Sequence, residues 1–108
     1  MENKIPNLLR IKEEVESKFN CQLSIEKFRD KDELVFKGKK DTVYIYVSRY
    51  TCLDSRLGKE FIGFDFWNGN SGLGSPCDSM EELFENLDKI KMPRRAVPKE
   101  ITEQLSLF

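Results

Sequence analysis

Between residues 21 and 67 the chain carries four consecutive runs of strand character, "CQLSIEKFR", "ELVFKGK", "TVYIYVSRY" and "KEFIGFDFW", and no other feature constrains the fold as much. Each is rich in Val, Ile, Phe and Tyr and alternates with period two, the repeat of a strand whose two faces meet different surroundings. The breaks between them are mostly short. Asp30-Lys31-Asp32 and Gly38-Lys39-Lys40-Asp41 have hairpin length, so neighbouring strands pair antiparallel in sequence order. The third connection, "TCLDSRLG", is longer, and "NGNSGLGSP" after Trp67 reads as a loop because Gly, Asn and Ser dominate it.

Helical patterns flank the strands. In "IPNLLRIKEEVESKF" Pro6 stands near a helix start, and Leu8, Ile11, Val15 and Phe19 recur at three-to-four spacing. Ser79 and Glu82 form the S-x-x-E capping-box pattern ahead of Met80, Leu83, Phe84, Leu87 and Ile90, a single apolar stripe that Pro93 ends. The expected architecture is α+β: a two-layer domain with a four-stranded antiparallel meander sheet, two helices on one face (order αββββα) and an extended C-terminal tail. Alternation places Val43, Ile45 and Val47 with Ile62, Phe64 and Phe66 under the helices, extended by Leu23, Ile25, Leu34 and Phe36. The domain boundaries follow as 1–91 for the folded body, 92–103 for a proline-containing flexible tether and 104–108 for a terminal peptide.

A chain of 108 residues, 39% hydrophobic and 34% charged, has room for one such domain. With 18 Lys and Arg against 19 Asp and Glu, the net charge of −1 supplies no global attraction to nucleic acid or to an anionic membrane. The first ten residues lack a signal-peptide apolar run and no stretch is long enough to span a membrane, which points to a cytoplasmic protein with no membrane partner. Cys21, Cys52 and Cys77 are odd in number and far apart, and there is no CxxC and no His. They read as reduced thiols, and neither a metal site nor a cofactor is expected. Without His there is no imidazole base for a Ser or Cys nucleophile, so the reading is non-enzymatic. The stretch "GNSGLGS" lacks the G-K-[ST] ending of a phosphate loop and is read as a connector.

Two features remain that could carry binding. On the sheet face turned away from the helices, Tyr44, Tyr46, Phe61 and Trp67 alternate outward beside Lys37, a pattern able to stack single-stranded bases, with Arg94 and Arg95 of the tail as further cations for single- or double-stranded DNA. The alternative is that these rings stabilise strand pairs or form a self-association surface, which leaves the oligomeric state open. Residues 21–51 carry seven basic against five acidic side chains, an excess of two that would support only feeble nucleic-acid affinity.

The second feature is Gln104-Leu105-Ser106-Leu107-Phe108. It resembles the Q-L-[S/D]-L-F pentapeptide with which bacterial polymerases, mismatch-repair proteins and other factors bind the replicative sliding clamp. The resemblance covers five residues and says nothing of the upstream fold. It implies a small polar subsite for Gln104 and an apolar clamp pocket for Leu105, Leu107 and Phe108. Burying two Leu and a Phe contributes roughly 1.5–3 kcal/mol each, against about 1–2 kcal/mol per ordered backbone residue, so the contact would be reversible, around micromolar. The function implied is that of a replication or repair adaptor or modulator, bacterial or encoded by a phage or mobile element, with an inhibitor occupying the clamp pocket as the competing version. An extra edge strand through Leu105 and Leu107, or a helical stripe of Ile101, Leu105 and Phe108, are the alternatives in which these residues pack on their own domain.

Overall fold

A computed structural model of the chain describes residues 5–52, 54–69 and 71–94. Over these residues the order is α1 (Leu8–Lys18), β1 (Ser24–Phe28), β2 (Lys31–Lys37), β3 (Thr42–Arg49), β4 (Glu60–Trp67), β5 (Gly72–Cys77) and α2 (Met80–Lys89). The α+β class and the antiparallel meander agree with the sequence pattern, but the sheet has five strands, in the order β1-β2-β3-β4-β5.

The additional strand lies within the stretch read as a loop. Composition misleads here because Gly72, Gly74 and Pro76 all disfavour strands on propensity alone. The turn overrides it: Asn68 N–H donates to Ser71 O at 3.1 Å, Ser71 N–H to Asn68 Oδ1 at 2.9 Å, and Gly69 takes the left-handed φ of 93° that glycine tolerates. The chain thereby folds back to pair Trp67 with Gly72 and, at the far end, Ile62 with Cys77. As an edge strand β5 tolerates Pro76, whose missing N–H costs nothing on the unpaired side.

Both helices join one core on one sheet face. Ile11 and Val15 of the first, its C-cap Phe19, and Leu83 and Leu87 of the second are buried with Leu34, Val43, Ile45, Ile62 and Phe64. Phe36, Val47 and Phe66 pack against this core only partly buried. Ile25 is the exception to the expected set: on the edge strand β1 it stays 44% exposed.

The helix starts follow their side chains. Asn7 caps α1, accepting from Arg10 N–H at 2.9 Å, and Ser79 caps α2, accepting from Glu82 N–H at 3.2 Å. Glu82 reaches back to Asp78 N–H at 2.8 Å, one residue before the cap, so the box is closed one position early. The end of α2 differs from the expectation that Pro93 stops it. Lys91 adopts φ 63°, its N–H donates to Asp88 O at 2.9 Å, and Met92 N–H donates to Leu87 O at 3.0 Å. This is the Schellman arrangement, and it drives Met92 into the core, 7% exposed.

Residues 92–94 are therefore part of the folded body. Asn20 N–H donates to Pro93 O at 2.7 Å, Arg94 bridges Phe19 in an isolated antiparallel pair, and its guanidinium lies 4.8 Å from the Phe19 ring centre while bonding Asp88. The tether's first three residues are strapped across the C-terminal ends of both helices. Its remainder, and the pentapeptide, lie outside the described residues.

Candidate functional site

Strand register settles which side chains share the open sheet face. Tyr44 sits opposite Asp65, and Asp65 opposite Gly74; Tyr46 sits opposite Gly63, and Ser48 opposite Phe61; Thr42 sits opposite Trp67, and Trp67 opposite Gly72. Tyr44, Tyr46, Phe61 and Trp67 thus lie on one face, away from the helices, as alternation predicts. They do not stand as free stacking platforms of equal kind.

Tyr46 lies flat on its neighbour strand. A Cβ added at Gly63 would fall 2.2 Å from the Tyr46 ring, so the glycine is the seat of that ring. Trp67 leans in the same way over Gly72, where an added Cβ would meet its ring at 2.7 Å, and Asp65 Oδ1 leans over Gly74 at 2.8 Å. Phe61 packs against Tyr50, ring centres 4.5 Å apart. Beneath the aromatics Val35, opposite Tyr44, is buried although it faces away from the helix-side core. The rings therefore form a thin second hydrophobic layer, and only Trp67, 50% exposed, offers a large apolar surface among these four.

This face carries charges of both signs, the acids Glu26, Glu33 and Asp65 with the cations Lys31 and Lys37. Glu26 and Glu33 are cross-strand partners, and Asp65 lies close enough to Glu33 to act on its titration. Burial, reinforced by Asp65 and Glu26, raises the Glu33 carboxyl above its ordinary range. Burial likewise raises Asp65, partly offset by the hydrogen bond it accepts from the Tyr46 hydroxyl. Burial and then the Asp65 charge raise Tyr46 in turn, which keeps it a protonated donor. Among the described residues no lysine or arginine bridges Glu33 or Asp65.

Lys37 is on this face but extends to Glu26 at 3.7 Å. Arg94 is on the helix side, against Phe19 and Asp88, and its pairing lowers the Asp88 carboxyl. Arg95 lies outside the described residues, as do Gln104, Leu105, Ser106, Leu107 and Phe108. The structure does not bring Arg94 together with Lys37 and the rings.

At the β4–β5 end the face opens into a recess of about 510 Å³, lined by Tyr44, by Asp65, Phe66 and Trp67 of β4, and by Gly72, Leu73 and Gly74 of β5. Asp65 was legible as a member of the face, since it alternates with Phe61 and Trp67 in "FIGFDFW"; the two glycines were not, because their strand was hidden. A second polar cluster joins the β3–β4 connection to the start of α2. Tyr50 hydroxyl donates to Asp78 Oδ1 at 2.9 Å, and Arg56 approaches both. Of the cysteines, Cys21 and Cys77 are buried and Cys52 is exposed. Among the described residues no group of three or more His, Cys, Asp or Glu is arranged to hold a metal ion, and no helix is long and apolar enough to cross a membrane. No family model matches the chain, and no curated protein or solved structure is significantly similar to it.

Proposed function

We propose that this protein is a non-enzymatic, cytoplasmic factor that docks on the bacterial DNA polymerase sliding clamp through Gln104–Phe108 and serves replication or repair as an adaptor or modulator. The observation that carries the reading is the pentapeptide itself, whose Gln, two Leu and Phe stand in the order of the clamp motif. The folded body supports it from the other side. Its core closes with Met92, and among the described residues no buried side-chain nitrogen or oxygen lacks a partner. The described core therefore has both helices and the sheet in place before residue 104 is reached.

The sheet face has less to recommend it as a nucleic-acid platform. Glu33 and Asp65 would repel a phosphate backbone, and Lys37 is engaged by Glu26. The face is better suited to a second protein partner, which is what an adaptor held at the clamp requires.

The test is displacement. Full-length protein bound to purified clamp should be displaced by a synthetic peptide ending Gln-Leu-Ser-Leu-Phe, and the L107A/F108A double variant should fail to bind. Continued binding by the double variant overturns the reading. Replication assays then separate the two versions: an inhibitor acts as the isolated peptide at raised concentration, whereas an adaptor requires the folded body.

A further inference from the structure

The recess between Tyr44, Asp65 and Trp67 is accounted for neither by the core nor by clamp docking. On this face the edge strand β5 carries no side chain at Gly72 and Gly74, and the Trp67 ring and the Asp65 carboxylate lean over those two glycines toward the sheet edge. The walls of the recess are two aromatic residues. Tyr44 stands directly across the strand pair from Asp65, and Trp67 is the next residue of β4 on the same face, seated on Gly72 yet half exposed. One carboxylate beside two aromatic residues, with the Glu33 carboxylate near enough to act on it, complements a planar cation.

We propose that this recess binds an arginine side chain presented by a partner peptide, with the Asp65 carboxylate as counter-ion and Tyr44 and Trp67 as its aromatic walls. Arginine suits the site better than lysine because its planar guanidinium stacks on rings while its N–H fork meets a carboxylate. Its arrival also relieves a local imbalance. Asp65 accepts from the Tyr46 hydroxyl but has no cationic partner among the described residues, and burial already disfavours its charge. A nucleic-acid strand would instead bring phosphates to Asp65 and Glu33.

Trp67 is the single tryptophan of the chain and reports from the site itself. The full-length protein is titrated with the peptide acetyl-Gly-Arg-Gly-Arg-Gly-amide, and Trp67 emission and the Gly72 and Gly74 amide NMR signals are followed. The proposal predicts saturable changes in both, at least about tenfold weaker for Asp65→Asn and for the peptide with citrulline in place of arginine, the scale of one partly desolvated charge contact. Tyr44→Leu, which keeps the charge and removes one wall, should also weaken binding. Equal binding of the citrulline peptide, affinity unchanged by both substitutions, or a Trp67 response to oligothymidylate but not to the arginine peptide each overturns it.

Discussion

The two faces of the sheet are built from the same strands by opposite means. Toward the helices, β4 presents Ile62 and Phe64, fully buried in one apolar core with Leu83 and Leu87. Toward solvent, the alternate residues of that strand are Phe61, Gly63, Asp65 and Trp67, and the cover is supplied by rings lying on glycines. The helix side gains its stability from dense packing between layers. The open side pays for partial burial with carboxylates pushed above their ordinary range, and it keeps a recess. Among the described residues neither Glu33 nor Asp65 has a cationic partner there.

The two faces should differ most in stability on β4 itself. Phe64→Ala should cost about 3–5 kcal/mol in urea unfolding, as for a fully buried aromatic, whereas Phe61→Ala, half-buried against Tyr50, should cost about 1–2 kcal/mol. Equal losses would mean that the two faces are energetically alike. Next, Gly63→Ala should destabilise by about 2 kcal/mol through overpacking against the Tyr46 ring, and most of that loss should vanish in a Tyr46→Ala background. Additive losses would show that the ring has no seat on the glycine. Lys91→Gly should raise stability by up to about 1 kcal/mol, since a left-handed residue loses its Cβ penalty while the Met92 anchor is kept.

The smallest effect is electrostatic and lies on the open face. Because Glu33 has a folded-state pKa above its unfolded value, its contribution is most favourable below the unfolded pKa and is lost as pH rises through the folded one. Glu33→Gln should therefore raise the Tm modestly at pH 7, and the gain should shrink on acidification toward pH 4. A gain that persists at low pH would assign the effect to packing instead of charge.

The helices and four of the strands were legible because their apolar periods are strong and long. The fifth strand was not, because its pairing comes from the Asn68–Ser71 turn and from neighbours that need glycine beneath them, and these signals reside in the turn and in the partner strand, β4. The same holds at the end of α2: Pro93 is conspicuous in sequence, but Lys91 in a left-handed conformation does the terminating, and a lysine carries no mark of that. The aromatic face was visible by alternation. Its set of acids was half-visible, since Asp65 and Glu33 share the strands and parity of Trp67 and Lys37, yet only the assembled sheet brings the acids of β1, β2 and β4 to bear on one another.

The proposed function divides the chain between a folded body and a docking peptide, Gln104–Phe108. Calorimetric titration of purified bacterial sliding clamp with the full chain, and with a chain lacking residues 104–108, tests it most directly. Reversible, roughly micromolar binding is expected for the full chain and none for the shortened one, with the shortened chain still folded. Binding unchanged by removal of the pentapeptide would contradict it.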